Sequence, residues 1–204
     1  MTFPLIGIFL FSLFGTNPLK EEKECITDKR LLSNENYKET KKILKTSLNN
    51  LNIFRYVFNT QKHPIYGKNN VEIINKNEEL LPIIISEIKK AKTSINICTY
   101  IIKEGYFLKT LINELIKLNL KGVKIRLMYD YVGSFQKIKS STIKKIKAAG
   151  IEVSIFNHSK FNIFKSATNF RNHKKCIIID NSVAILGSYN IGDEYLSIDS
   201  KTND

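Results

Sequence analysis

The chain has 204 residues, enough for one α/β domain with a complete hydrophobic core but not for two such domains. Its formal charge of +13 and its isoelectric point of about 9.5 favour an anionic partner: nucleic acid, an anionic membrane surface or a phosphorylated substrate. Charge alone does not choose among these partners, because enrichment in lysine, asparagine and isoleucine also follows from genome base composition.

The three cysteines, Cys25, Cys98 and Cys176, give no pairing pattern. Their number is odd, their spacing does not match a metal site, and Cys98 and Cys176 lie inside apolar runs. We therefore predict a protein that faces a reducing cytosol, with no disulfide framework, no metal and no other cofactor.

The first residues contain the apolar run FPLIGIFLFSLFG, followed by Asn17, Pro18 and a charged run. This run is shorter than the roughly 20 residues that cross a bilayer, and no basic segment precedes it as in a signal peptide. We interpret residues 1–16 as a partial membrane helix whose beginning is missing, with a core helix or a short interfacial anchor as the alternative. Residues 17–70 are polar and are predicted to form a linker with one helix at Tyr37–Leu51.

From Val71 onward, strand and helix patterns alternate along the chain. Strands are predicted at Val71–Ile74, Ser94–Ile102, Val123–Asp130, Ile151–Phe156 and Asn172–Ile179, with a final strand after a turn at Asp180, Asn181 and Ser182. Helices are predicted at Glu78–Ala91, Phe107–Leu118 and Ile138–Ala149. This order predicts that residues 71–204 form an α/β layered domain with a mixed, largely parallel sheet flanked by helices.

Polar residues interrupt the end of this pattern, in the stretch RNHKKCIIIDNSVAILGSYNIGDEYL. His173 and Lys175 stand at i and i+2, so on a strand they project from the same face. Imidazole can attack phosphorus and form a covalent phosphohistidine. Lys175 would supply positive charge, and Ser188 and Asn190 hydrogen bonds, to the phosphate oxygens in the transition state. No metal is required for this chemistry.

A lone His-x-Lys pair is better explained as an edge-strand histidine beside a solvated lysine. Here six positions fit H-x-K-x4-D-x6-G-S-x-N without a gap: His173, Lys175, Asp180, Gly187, Ser188 and Asn190. The pattern resembles the HKD motif of the phospholipase D superfamily. Its flanks, NFRNHKK and NIGDEYL, resemble the first of the two HKD motifs of bacterial cardiolipin synthases, and AKTSINICTYIIKEG and KGVKIRLMYDYVGS resemble the strands upstream of it.

This resemblance implies a phospholipase D-like fold that is one half of the usual two-lobed enzyme. It implies that His173 is the nucleophile or its general-acid partner, and that Lys175, Ser188 and Asn190 hold the phosphate. Asp180 belongs to the catalytic motif, but we interpret it as a structural member. It lies at the turn and has the opposite strand parity to His173.

The reaction implied by the resemblance joins two phosphatidylglycerol molecules into cardiolipin and releases glycerol. One histidine would attack the phosphodiester, the other would protonate the leaving glycerol, and the second lipid's hydroxyl would resolve the intermediate. The implied partners are anionic phospholipid, the membrane and a second HKD half or a homodimer partner. The expected location is the cell membrane, with the catalytic domain on the cytoplasmic side.

The chain also departs from the family. It carries one HKD motif where the family has two, and its other histidines, His63 and His158, lack the following lysine and aspartate. Cys98 stands where relatives often have glutamate, and tryptophan is absent from the sequence. We therefore expect the front part of a cardiolipin synthase, cut at both ends.

Two other functions remain open at this stage. One is a membrane-anchored, single-motif nuclease that builds its active site as a homodimer, because a charge of +13 suits a nucleic acid backbone. The other is an inactive domain that only binds anionic lipid.

Overall fold

The computed structural model describes residues 7–8, 38, 40–43, 51–61, 65–67, 69–157 and 171–197. The chain divides into two compact units, one formed by Met1–Gly15 with Ile74–Asp204 and the other by Thr16–Ile73. The predicted boundaries at residues 16 and 70 remain a prediction. Within the described ranges, no helix is both long and apolar enough to cross a bilayer. Apart from the helical residues 7 and 8, the predicted membrane helix lies outside those ranges.

The smaller unit contains helix α1, Leu51–Gln61, which the sequence analysis had placed in a linker. Residues 38 and 40–43 are helical, and the rest of the predicted helix before residue 51 lies outside the described residues. Thr40 is buried, and its hydroxyl accepts a hydrogen bond from the Ile65 backbone at 2.9 Å. This bond ties the earlier helical segment to residues that follow α1.

The larger unit has three helices and five strands among its described residues. They are α2 Asn77–Lys89, β1 Ser94–Thr99, α3 Tyr106–Leu120, β2 Lys124–Asp130, α4 Ser140–Ala148, β3 Glu152–Phe156, β4 Cys176–Ile179 and β5 Val183–Leu186. A short 3-10 turn follows at Asp193–Tyr195.

The five strands form one sheet in the order β3-β2-β1-β4-β5. β1, β2 and β3 are parallel, since α3 and α4 connect them by crossovers, whereas β4 and β5 add to β1 as an antiparallel hairpin. The structure therefore confirms the mixed α/β sheet flanked by helices.

The core lies between the sheet and the apolar stripes of the helices. β1 alternates half-buried and buried residues, as a strand with two different faces should. The stripe predicted for α3 is confirmed, because its members are buried: Leu108, Leu111, Ile112, Leu115 and Leu118.

Two strand predictions are wrong. Val71–Ile74 belongs to no sheet, and its apolar residues Val71 and Ile73 are 79% and 87% exposed. The strand predicted at Asn172–Ile179 begins only at Cys176. Its first residues bond to side chains instead of a neighbouring strand: the Asn172 N–H donates to the Asp130 carboxylate at 3.2 Å.

The hairpin between β4 and β5 is anchored by Asp180. Asp180 and Asn181 both have positive φ, which short polar side chains tolerate in tight turns. The Asp180 carboxylate accepts backbone N–H bonds from Lys92, Thr93 and Ser94 at 2.7, 2.8 and 2.8 Å, and a Thr93 hydroxyl bond at 2.7 Å. These bonds hold the pKa of the carboxyl far below its usual range, the Ser94 bond contributing most.

Asp180→Ala is expected to lower the free energy of unfolding because it leaves three backbone donors without their acceptor. The folded-state pKa is depressed, so the stabilisation is present above the unfolded-state pKa of about 3.9 and is lost as pH falls below it. Urea unfolding at pH 7 and at pH 3 should show a large difference between wild type and variant that shrinks in acid. Glu78→Ala, at an exposed carboxylate, is the matched control. Equal effects of the two substitutions at pH 7 would contradict this role.

Candidate functional site

A histidine and a lysine meet just before β4, beside the end of β1. The Lys175 ammonium lies 2.9 Å from Nδ1 of His173 and 2.9 Å from the His173 carbonyl oxygen. An ammonium only donates, so a hydrogen bond between these two side chains requires the imidazole nitrogen to be the acceptor. His173 is exposed, whereas Lys175 is half-buried. The structure thus brings together the first two residues of the motif.

Tyr100 forms the third side of this cluster. Its ring centroid lies 4.6 Å from that of His173, with the planes tilted by 53°. Lys175 Nζ lies 5.7 Å from the centroid of the same ring, within the range of a cation–π contact. Tyr100 therefore supports both the imidazole and the ammonium.

The position of Tyr100 depends on the loop after β2. A Cβ on Gly133 would lie 2.5 Å from the Tyr100 carbonyl oxygen and 2.9 Å from its ring, so only glycine allows this approach. The Ser134 hydroxyl donates to the Tyr100 carbonyl at 3.3 Å and accepts the Ile102 N–H at 3.0 Å. The loop thereby fixes the backbone on which Tyr100 stands.

Asn190 is buried and serves first as a structural bridge. Its amide oxygen accepts the Ile101 N–H at 3.0 Å, and its amide nitrogen donates to the Tyr195 hydroxyl at 2.7 Å. Ile191 continues the attachment through a backbone bond to Ile101 at 3.1 Å. Asn190 thereby joins the segment after β5 to the chain that follows β1 and to Tyr195.

Ser188 is exposed and follows the end of β5. Leu186, the last residue of β5, pairs with Cys176, the first residue of β4. Residues that follow β5 therefore lie at the same sheet edge as the residues that precede β4, which places Ser188 at the edge that carries Lys175.

Asp180 lies at the opposite edge. The four residues of β4 separate it from the His173 segment, which corresponds to about 13 Å at roughly 3.3 Å per residue. Its carboxylate bonds to residues 92–94, at the start of β1. The structure does not bring Asp180 together with His173.

Asn172 is a positioning residue that the sequence analysis missed. Its amide nitrogen lies 3.1 Å from Cys98 Sγ and 3.5 Å from Met128 Sδ, and its amide oxygen accepts the Lys174 N–H at 3.2 Å. Asp130, which accepts the Asn172 backbone N–H, is fully buried and also accepts the N–H groups of residues 132 and 133. The sequence did contain one signal for this contact: Asp130, a carboxylate at the end of the apolar strand β2, which needs hydrogen-bond donors when it is buried.

Asp193 fastens the NIGDEYL segment to the core. Its two carboxylate oxygens accept the N–H groups of Tyr106 and Phe107 at 2.8 and 2.7 Å, the first donors of α3. A carboxylate at a helix N-terminus satisfies free donors and interacts favourably with the helix dipole. Among the described residues, no three acidic, histidine or cysteine side chains gather in a way that could hold a metal ion.

Comparison with known proteins shows the family of the chain. Residues 84–203 match the family model described as cardiolipin synthase, PLD-like domain. The chain belongs to this family. It is 30% identical to a cardiolipin synthase of Geobacillus kaustophilus, covering 96% of this chain and 40% of the relative. It is 34% identical to one of Oceanobacillus iheyensis, covering 97% and 43%.

The chain thus spans about two fifths of the length of these relatives. Among solved structures, NucT from Helicobacter pylori is 24% identical, with a TM-score of 0.48 over 63% of this chain and 78% of that chain.

Asn172→Ala should loosen the segment that carries His173, because it removes the amide contacts to Cys98 and to the Lys174 backbone. We expect a loss of about 1–3 kcal/mol in unfolding free energy, together with faster amide hydrogen exchange in residues 172–175. Hydrogen exchange followed by mass spectrometry measures the second effect. Asn96→Ala, on the same face of the sheet, is the control and should leave that exchange unchanged. Unaltered protection in Asn172→Ala would refute the positioning role.

Proposed function

We propose that this chain is the first half of a cardiolipin synthase, which transfers a phosphatidyl group between two phosphatidylglycerol molecules and releases glycerol. The observation that carries the proposal is the contact of 2.9 Å between Lys175 Nζ and His173 Nδ1, in a chain of this family. The names of its relatives, 30% and 34% identical over nearly the whole chain, support the same activity.

In the proposed mechanism, a neutral imidazole lone pair of His173 attacks the phosphorus of the first lipid. The result is a covalent phosphohistidine, which divides one difficult transfer into two easier ones. Lys175 turns from the imidazole to a non-bridging phosphate oxygen as the lipid binds, since an anion is a better partner for an ammonium than a neutral ring. The same lysine thus holds the free imidazole and stabilises the charged transition state.

Two further donors complete the phosphate site in this proposal. The Ser188 hydroxyl and the remaining N–H of Asn190 donate to the other phosphate oxygens from the edge of the sheet that carries Lys175. Asp180 acts at a distance by anchoring the hairpin, which agrees with its bonds to the backbone of residues 92–94.

A second histidine is needed for turnover. Glycerol alkoxide is too basic to leave unprotonated at neutral pH, and one imidazole cannot attack phosphorus and protonate the leaving group at once. Of the three histidines in the sequence, only His173 is followed by the lysine and the aspartate of the motif. A second HKD half, or a second copy of this chain, therefore supplies the proton donor, or the nucleophile if His173 is the donor.

The chain alone is expected to form little or no cardiolipin, because the absence of a positioned acid costs about 10²- to 10⁴-fold in rate. Co-expression with the remaining part of the Oceanobacillus iheyensis relative should restore formation of cardiolipin and glycerol. The measurement is lipid analysis by mass spectrometry after incubation with phosphatidylglycerol vesicles.

Two neighbouring lysines provide the test variant and its matched control for that experiment. Lys175→Ala should abolish the restored activity, as should His173→Ala, whereas Lys174→Ala changes an exposed side chain and should retain it. Cardiolipin formation by the purified monomer, lost in His173→Ala, would refute the need for a second half. Activity confined to a dimer and to DNA or RNA would establish the nuclease instead.

The formal charge of +13 also predicts where the proposed enzyme works. Basic residues are attracted to the anionic cytoplasmic leaflet, by about 1 kcal/mol for each lysine or arginine near the surface. We expect binding to phosphatidylglycerol vesicles at low salt, weakening as salt shortens the screening length. Sedimentation with phosphatidylglycerol and with neutral phosphatidylcholine vesicles measures it. Equal partitioning onto both would rule out electrostatic attachment.

A further inference from the structure

Two cysteines face each other across the strand pair on which the site is built. Cys98 in β1 and Cys176 in β4 are direct partners in the antiparallel register, and both are half-buried free thiols. Directly paired residues point to the same sheet face with Cα atoms about 4.5–5.5 Å apart. A disulfide accepts Cα separations of about 4.4–6.8 Å. The register therefore places the two Cα atoms within the range that a cross-strand disulfide accepts.

The two thiols already interact. Burial raises the pKa of the Cys98 thiol, the Asn172 amide lowers it, and the Cys176 thiol raises it again through its charge and a hydrogen bond. Cys176 also adds to the raised pKa of Tyr189, about 12, of which burial is the main cause. The phenol of Tyr189 is therefore neutral at physiological pH.

Cys98 also contacts both chain neighbours of His173. Its Sγ receives the Asn172 amide N–H at 3.1 Å, and its S–H points to the Lys174 carbonyl at 3.8 Å. A disulfide sulfur has no hydrogen, so oxidation removes the second contact outright. Because the new bond draws the Cys98 sulfur toward Cys176, we expect its contact with the Asn172 amide to lengthen. Both supports of the His173 backbone are then weakened together.

We propose that Cys98 and Cys176 form a dithiol site, that low-molecular-weight disulfides oxidise it to a cross-strand disulfide, and that this bond switches off transfer by displacing His173. The formation of the disulfide stands independently of the activity. Its regulatory effect rests on the proposed function.

The oxidation is a pair of exchange reactions. The thiolate of one cysteine attacks a sulfur of the small disulfide, forming a mixed disulfide and releasing one small thiolate. The thiolate of the other cysteine then attacks the protein sulfur of the mixed disulfide, which forms the Cys98–Cys176 bond and releases the second small thiolate. The protein loses two electrons and two protons, and the small disulfide is reduced to two thiols.

Reversibility follows from the position of the pair. Partly exposed disulfides have higher reduction potentials than buried structural ones, and they are the labile and regulatory class. The raised pKa of Cys98 makes its thiolate scarce at neutral pH, so oxidation should accelerate as pH rises. The site would thus stay reduced in an ordinary cytosol and respond to oxidising conditions.

The test uses the full chain with Cys25→Ser, which leaves only the two thiols in question. Oxidised glutathione is added at increasing concentration and pH, and free thiols are then blocked. We expect a loss of two hydrogens and a cross-linked peptide pair containing Cys98 and Cys176, faster at pH 9 than at pH 7. Long-range ¹H–¹⁵N spectra should show the His173 ring resonances, assigned with His173→Ala, shifting on oxidation and returning with dithiothreitol.

Cys98→Ser and Cys176→Ser are the controls, each of which should lose the cross-link and the oxidation-dependent shift. Glutathione attached singly to each cysteine with no cross-link would overturn the dithiol site. A cross-link that leaves the His173 resonances unchanged would overturn the switch. In the complemented enzyme, activity that persists after cross-linking would also overturn the switch. An enzyme inactive even when reduced would refute the proposed function, leaving the disulfide itself intact.

Discussion

The site depends on the antiparallel pairing of β4 with β1. This pairing adds a hairpin to a parallel sheet whose strands are otherwise linked by helical crossovers. Asp180 fixes one end of the pairing to the backbone at the start of β1, and the bonds of Asn172 to Asp130 and Cys98 fix the other end. Because both ends are held, the short segment between Asn172 and β4 is confined. Its side chains His173 and Lys175 lie against the Tyr100 ring.

The same arrangement gives several polar residues around the site a structural role. Asn190 and Asp193 attach the segment after β5 to residues 101 and 106–107, so this segment is held against the core of the domain. Preorganised donors lower the cost of reorganisation when charge develops in the transition state. In the proposed enzyme, the HKD motif therefore combines the nucleophile His173 and the phosphate donors Lys175, Ser188 and Asn190 with Asp180, which anchors the hairpin.

Much of this organisation was readable from the sequence. The stripe of α3 and the alternation of β2 reflect burial on one face, which periodicity records directly. The gapless motif located His173 and Lys175. The strand at Val71–Ile74 failed because an apolar alternation without a pairing partner does not make a strand, and pairing is a long-range property. The support from Asn172 and Cys98 was invisible because it joins residues 74 positions apart. Helix α1 was missed because its apolar residues stand in a polar composition that favoured a linker.

The pairing of β4 with β1 sets the imidazole of His173 against Tyr100. Nuclear Overhauser contacts in a chain with labelled histidine and tyrosine test it directly. A cross-peak between the Tyr100 and His173 ring protons is predicted, since the ring centroids are 4.6 Å apart. Cross-strand contacts between Ile97 and Ile177 provide the internal control for the register. If the Ile97–Ile177 contacts are present and the Tyr100–His173 cross-peak is absent, the pairing of β4 with β1 does not position the imidazole of His173.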